Sequence, residues 1–89
     1  MAHPNPPRAK LSVVDGVQVF ARRNEAGLPC KVDSIAEDRD KIADIADRLQ
    51  RAGYGVFRER NARAGRVYYR LGASWAGPGE PPEHPLGPA

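Results

Sequence analysis

The arginines of the C-terminal half are the residues whose type and spacing point most directly to a chemical role. Side chains suited to phosphates and bases recur within residues 58–70, at Arg58, Arg60, Arg63, Arg66, Tyr68 and Arg70. A guanidinium group can bind a phosphate through two hydrogen bonds, and an exposed tyrosine ring can stack on a base or a sugar. These residues favour nucleic acid, DNA or RNA, as the ligand. The alternative is that the arginines only keep an outer sheet face soluble and protect its edge from aggregation.

Residue types that catalysis and metal binding require are scarce in this chain. It has no threonine and three serines, and both histidines, His3 and His84, lie in Pro-rich end segments. A nucleophile needs a base held beside it, and a transition metal needs ligands that converge. We therefore expect no enzymatic activity, no metal and no cofactor. Cys30 is the only cysteine, so an internal disulfide is excluded and a small buried apolar role is expected.

The composition predicts one small domain between two end segments. Eight of the nine prolines lie in residues 1–8 and 73–89, and we expect both segments to be disordered. Residues 9–72 are expected to form a single α+β domain. No apolar run is long enough to span a membrane, and the first residues do not resemble a signal peptide. We therefore expect a cytoplasmic protein without a membrane partner.

The first part of the domain predicts a β-hairpin. Two runs rich in β-branched residues, 10–14 and 17–21, flank Asp15-Gly16, a dipeptide typical of two-residue type I′ turns. The apolar residues of this region also fit the spacing of a helix interrupted by Gly16, and the sequence leaves that alternative open. A short third strand is expected over residues 28–32.

Residues 35–52 predict one amphipathic helix at the centre of the domain. Ser34 lies three residues before Glu37, which is the spacing of a capping box, and Gly53 follows as a helix terminator. Favourable acid–base pairs four residues apart support the helix. The residues expected to pack on the sheet are Ile42, Ile45 and Leu49.

Two strands, 54–60 and 66–71, are expected after the helix, joined by a polar loop. Alternation of side chains predicts which residues face the core. The expected inner-face residues are Val17, Val19, Phe57, Val67, Tyr69 and Leu71. Arg58 and Arg60 are expected to point outward together with Tyr68. The overall expectation is an α+β fold with hairpins packed on one central helix and a basic C-terminal hairpin.

Charge is distributed unevenly along the domain. Residues 33–52 contain six acidic and four basic residues, whereas residues 54–71 contain five arginines and one glutamate. Residues 8–32 contain five basic and two acidic residues. The predicted hairpins are therefore basic and the predicted helix is mildly acidic, which favours a polyanion on the hairpins.

The C-terminal half also resembles winged helix-turn-helix regulators. The resemblance lies in Leu49-Gln50-Arg51-Ala52-Gly53-Tyr54, in Val56-Phe57-Arg58-Glu59-Arg60 and in Gly65-Arg66-Val67-Tyr68-Tyr69-Arg70-Leu71-Gly72, and Ser34-Ile35-Ala36 resembles the start of the preceding helix. In that family the recognition helix ends in a Leu-x-x-x-Gly-aromatic pattern and continues into a two-stranded wing. The resemblance implies a DNA-binding regulator in which the wing arginines, Arg58 to Arg66, make most of the DNA contacts.

A protein partner is the second hypothesis. Trp75, the only tryptophan, either folds back to cap the core or anchors the C-terminal segment in another protein. The acidic helix face and a free strand edge are further surfaces for a partner, and a free edge also allows a homodimer. The sequence thus predicts either a small non-enzymatic nucleic-acid-binding or regulatory module, or a small adaptor or inhibitor of another protein.

Overall fold

The computed structural model describes residues 9–87 and contains a five-stranded antiparallel sheet with one helix packed on it. The elements are β1 (Ala9–Val14), β2 (Val17–Arg23), β3 (Pro29–Ala36), α1 (Arg39–Ala52), β4 (Tyr54–Arg63) and β5 (Arg66–Trp75). The strand order is β1-β2-β3-β5-β4, so β1 and β4 are the two edge strands. The predicted small α+β fold is confirmed. The predicted disordered segment 1–8 lies outside the described residues.

The turn between β1 and β2 confirms the predicted hairpin and excludes the helical alternative. Asp15 and Gly16 have φ angles of 51° and 80°, the left-handed conformation that a type I′ turn requires at both central positions. Burial alternates along β2, where Val17 and Val19 are buried and Gln18 is exposed. Local turn chemistry and the two-residue side-chain period therefore agree here.

The helix ends where expected but begins later. Gly53 adopts a φ of 112° and its N–H donates to the carbonyls of Gln50 and Leu49, which confirms the predicted terminator. The first helical residue is Arg39, and Asp38 is the N-cap. The expected start at residue 35 is wrong. No helix within residues 9–87 combines the length and the hydropathy needed to cross a membrane.

The start of α1 is displaced because β3 is longer than the expected strand 28–32. Ala36 pairs with Tyr69 of β5, and the hydroxyl of the buried Ser34 donates to the carbonyl of Gln18 at 2.7 Å. Cross-strand pairing therefore prevails over the local capping box. Residues Ser34-Ile35-Ala36, which resemble a helix start, are in β3, and α1 is the only helix in residues 9–87. The two-helix arrangement that the winged-helix resemblance implies is not present in that range.

The β4–β5 hairpin is longer and tighter than expected. Only Ala64 and Gly65, with φ angles of 51° and 77°, separate the two strands, and Arg63 pairs with Arg66. A loop over residues 61–65 would instead place Arg60 opposite Arg66. The difference of three residues in register moves the β4 side chains to the opposite face, because the side-chain period is two.

This register corrects the predicted inner face at one residue. Phe57 pairs with Gly72 on the side away from α1 and is 56% exposed, so its expected place in the core is wrong. Ile42, Ile45 and Leu49 are at most 1% exposed, as expected. The buried hydrophobic core is formed by Val14, Val17, Val19, Ala21, Val32, Ile42, Ile45, Ala46, Leu49, Tyr54, Leu71 and Ala73.

The C-terminal segment contributes to the fold beyond the expected boundary at residue 72. Strand β5 continues to Trp75. After it, Pro81 is buried, Leu86 packs against the core, and Asn24 Nδ2 donates to Glu80 Oε2 at 3.1 Å. The expected disorder from residue 73 is therefore wrong for the end of β5. The following segment, up to residue 87, is irregular in backbone but in contact with the domain.

Candidate functional site

The sheet face opposite α1 is the surface on which chemically distinctive side chains are exposed. The helix packs on β3, β4 and β5 from one side, and alternate residues of every strand point the other way. We call this second side the open face; its residues are Lys10, Val13, Gln18, Phe20, Arg22, Lys31, Asp33, Ile35, Gly55, Phe57, Glu59, Asn61, Arg63, Arg66, Tyr68, Arg70, Gly72 and Ser74. Three large apolar side chains on it are 50–56% exposed.

A single row of residues crosses all five strands of the open face. Each residue in it is the direct cross-strand partner of the next, in the order Phe57, Gly72, Asp33, Phe20 and Lys10. Two aromatic rings, a carboxylate and an ammonium group therefore lie along one line. Direct cross-strand partners have Cβ atoms about 5 Å apart, so the row is a continuous surface.

Phe57 lies directly on Gly72. A Cβ atom at residue 72 would lie 2.5 Å from Phe57 Cε1 and 2.6 Å from Cζ, so only glycine leaves room for the ring in this position. The ring covers the β5 backbone on one side and is otherwise accessible, with the residue 56% exposed. This arrangement holds an aromatic ring at a defined place on the surface without burying it.

Cationic side chains surround the Phe57 ring. Arg22, Lys31, Asp33, Arg70 and the ring itself line a shallow depression of about 270 Å³. Arg22 and Lys31 are direct cross-strand partners, and neither forms an ion pair with a carboxylate within residues 9–87. Two adjacent cations of this kind are suited to an external anion.

Arg70 is the partly neutralised cation of this depression. Its Nη1 lies 3.2 Å from Glu59 Oε1, and both side chains remain nearly half exposed. A surface ion pair of this kind contributes at most about 1 kcal/mol. A phosphate can therefore compete with Glu59 for the guanidinium group.

The structure does not bring all six sequence-predicted residues to one surface. Four of the six lie on the open face: Tyr68, Arg70, Arg63 and Arg66. Arg63 lines a depression together with Ile35, Asn61 and Tyr68, and Arg66 Nη1 is 3.6 Å from Glu37 Oε1. The remaining two, Arg58 and Arg60, pair with Leu71 and Tyr69 on the helix side. The predicted single basic ribbon face, with Arg58 and Arg60 beside Tyr68, is therefore wrong.

The residues missed by the sequence reasoning come mostly from β2 and β3. Phe20 and Arg22 alternate with the buried Val19 and Ala21, a pattern visible in the sequence once the hairpin is accepted. Lys31 likewise precedes the buried Val32. In the folded sheet β3 pairs with β5 and β2 pairs with β3, so Arg22 and Lys31 come near Arg70 only in the tertiary structure.

Trp75 folds back onto the domain, which is one of the two predicted alternatives. Its ring meets Tyr54 edge to face with centroids 5.3 Å apart, and Nε1 donates to the carbonyl of Gly79 at 2.9 Å. Tyr54 Oη donates to the carbonyl of Pro29 at 2.7 Å. Burial, and second the electrostatic influence of the neighbouring Cys30, raise the pKa of Tyr54 to about 12. Trp75 thus has a structural role next to the core.

Comparison with known family models, curated proteins and solved structures yielded no match to this chain. The fold and the open face therefore define only a class, a small α+β domain with an exposed aromatic and cationic sheet surface. Within residues 9–87, no three His, Cys, Asp or Glu side chains are grouped so as to hold a metal ion.

Proposed function

We propose that this protein is a small non-enzymatic module that binds single-stranded nucleic acid on the open face of its sheet. The observation that supports this best is the exposed Phe57 ring on Gly72, with Arg22, Lys31 and Arg70 around the same depression. This proposal keeps nucleic acid as the ligand but moves the site from the hairpin arginines to the sheet.

The chemistry of the open face matches unpaired nucleotides. Stacking of a base on an aromatic side chain contributes about 1–3 kcal/mol in single-strand binding proteins, and cations follow the backbone. Phe57 and Phe20 lie in the same row with β5 and β3 between them, about 14 Å apart at the usual strand spacing. A base can stack on the Phe57 ring, which is 56% exposed, while Arg22 and Lys31 contact phosphates. The half-buried Phe20 marks the direction in which the strand would continue along the row.

The width of the sheet argues for a single strand over a duplex. Five strands at ordinary spacing are about 19 Å across, whereas the major groove of B-DNA is about 12 Å wide and admits a two-stranded ribbon. In a duplex the bases are also stacked on each other and their flat faces are not accessible. A broad sheet surface with the accessible ring of Phe57 therefore fits unpaired bases.

The charge of the open face predicts moderate affinity. The open face carries the cations Lys10, Arg22, Lys31, Arg63, Arg66 and Arg70 and the carboxylates Asp33 and Glu59. Arg66 and Arg70 are already paired with Glu37 and Glu59. Three or four phosphate contacts to a single strand give a slope of log affinity against log salt of about −2 to −3. Binding should therefore be clear at low salt and weak at physiological salt.

Fluorescence anisotropy with a short labelled oligothymidylate tests the proposal, with a duplex of equal length for comparison. We expect the single strand to bind at least tenfold tighter than the duplex. Phe57→Ala should weaken single-strand binding about 5- to 150-fold, the equivalent of one stacked base, and Phe57→Tyr should restore most of it. Val13→Ala, an apolar change at the β1 edge of the same face, is the matched control and should have no such effect.

Two results would reject the proposal. One is duplex binding as tight as single-strand binding, because the open face would then not distinguish unpaired bases from paired ones. The other is unchanged affinity in Phe57→Ala, because stacking on that ring is the central contact.

A protein partner on the same face is the second candidate, and a specific observation favours it. Among residues 9–87, the exposed large apolar side chains are Val13, Ile35 and Phe57, and all three belong to the open face. Accessible apolar side chains on one surface are typical of protein interfaces. Ile35→Lys discriminates between the two candidates: added charge should strengthen oligonucleotide binding, whereas it should disrupt an apolar protein contact, including one with a second copy of this chain.

A further inference from the structure

A second cationic site lies on the helix side of the edge strand β4. A groove of about 370 Å³ between α1 and β4 is lined by Arg39, Ile42, Arg58, Glu59, Arg60 and Tyr69. We propose that this groove binds a phosphate monoester whose ester group is aromatic or apolar. The site is separate from the open face, because Arg58 and Arg60 point to the opposite side of the sheet from Phe57.

Three guanidinium groups from two elements line the same groove. Arg58 and Arg60 are alternate residues of β4 and share the helix side, opposite Leu71 and Tyr69. Arg39 is the first residue of α1. Arginine is the side chain best suited to a phosphate dianion, because its planar fork donates two parallel hydrogen bonds.

Arg58 and Arg60 differ in their ion pairing from other arginines of the domain. Other arginines of the domain are paired: Arg48 with Asp44 at 3.1 Å and Arg51 with Asp47 at 2.9 Å. Within residues 9–87, neither Arg58 nor Arg60 forms an ion pair with a carboxylate. Two neighbouring cations without a counter-ion repel each other, and a bound dianion relieves this repulsion.

The acidic groups near the groove limit its affinity but do not fill it. Arg39 Nε lies 3.7 Å from Asp40 Oδ1, with both side chains largely exposed. Glu59 Oε1 contacts Arg70 on the open face. Asp38 accepts the N–H groups of Asp40 and Lys41, so these two donors of the helix N-terminus are already used. The arginines must provide the binding, and we expect dissociation constants in the millimolar range.

The groove has an apolar wall beside the arginines. Its accessible part is the half-buried ring of Tyr69, since Ile42, which also lines the groove, is only 1% exposed. An inorganic anion would leave this wall exposed to solvent, whereas an aromatic or apolar ester group would cover it. Such a monoester is either a free small molecule or the terminal phosphate of an oligonucleotide.

NMR of the full chain, observing the Arg Nε–H groups and the backbone, tests this site at constant ionic strength in chloride. Titration with phenyl phosphate should give saturable shifts at Arg58, Arg60 and Tyr69. Affinity should exceed that for inorganic phosphate about tenfold through burial of the ring. The double variant Arg58→Gln/Arg60→Gln should lose these shifts, and circular dichroism verifies that it folds. The matched control Arg48→Gln/Arg51→Gln should retain them.

Several outcomes would overturn the inference. The inference fails if the NMR shifts do not saturate or are equally large at arginines over the whole surface. It also fails if inorganic phosphate binds as tightly as phenyl phosphate, or if Arg58→Gln/Arg60→Gln binds phenyl phosphate unchanged. A trinucleotide with and without a 5′-phosphate separates the two sources. If the 5′-phosphate raises the affinity for the trinucleotide, and this increase requires Arg58 and Arg60, the ligand is the end of a nucleic-acid strand. If the 5′-phosphate does not change the affinity while phenyl phosphate still binds, the ligand is a free small molecule. Phe57→Ala should leave phenyl phosphate binding unchanged.

Discussion

Phe57 of β4 lies against Gly72 of β5 so closely that a Cβ at residue 72 would come within 2.5 Å of the ring. The missing side chain of Gly72 thus sets the position of an exposed ring on the sheet. Aromatic residues are known to cover cross-strand glycines in this way. The pair links the local backbone to the proposed stacking site and defines the first prediction.

Gly72→Ala should displace the Phe57 ring and weaken single-strand binding about fivefold or more, at the lower end of a stacking contribution of about 1 kcal/mol. Oligonucleotide affinity and the NMR shifts of the Phe57 ring are the measurements. Gly55→Ala is the control, because a Cβ there meets its nearest atoms at 3.9 Å. Equal affinity for both variants would contradict the proposed role of the ring position.

Arg22→Gln and Lys31→Gln should each make single-strand binding less dependent on salt. Loss of one phosphate contact reduces the slope of log affinity against log salt by about 0.7. Anisotropy titrations at several salt concentrations measure this slope. Arg48→Gln, on the outer surface of α1, should leave the slope unchanged. If Arg48→Gln reduced the slope as much as Arg22→Gln does, the binding would depend on the overall charge of the protein and not on contacts at the open face.

Tyr54 should make the stability of the domain fall at high pH. Its pKa rises from 10.0 to about 12 on folding, chiefly through burial, so the folded state holds the phenolic proton more firmly than the unfolded state. The contribution is fully present below pH 10.0 and is lost as the pH rises toward about 12. Urea unfolding of the wild type and of Tyr54→Phe over this range measures the difference.

Tyr54→Phe should lose stability less steeply between pH 10.0 and about 12. At neutral pH the variant should be less stable by about 1 kcal/mol, because the carbonyl of Pro29 loses its donor. If the free energy of unfolding changes with pH in the same way in both proteins, the Tyr54 hydroxyl does not titrate differently in the folded and unfolded states.

Asp38→Ala should destabilise the domain by about 1 kcal/mol, because it removes the N-cap of α1. The Asp38 carboxylate accepts the N–H groups of Asp40 and Lys41 at 3.0 and 3.2 Å. Glu37→Ala should cost less than about 0.5 kcal/mol, since its ion pair with Arg66 is exposed. Chemical denaturation of both variants measures the costs. A larger cost for Glu37→Ala would favour the capping box read from the sequence.

The β4–β5 hairpin shows why the fold was more predictable than the site. The strands, their alternation and the basic composition were all visible in the sequence. The face of each β4 side chain depended on whether the loop had five residues or the two of Ala64-Gly65. A register difference of three residues left the strand intact but carried Arg58 away from Tyr68 and Phe57 out to solvent.

The sequence by itself determined the features that depend on neighbouring residues. Asp15-Gly16 formed its turn and Gly53 ended α1, because left-handed backbone conformations are set locally. Only the tertiary structure decided that Ser34 joins β3 instead of capping a helix, and that Arg22 and Lys31 meet Arg70 beside Phe57. Those outcomes depend on which strands pair and in which register. Pairing and register are set by the arrangement that buries the apolar residues of the whole sheet.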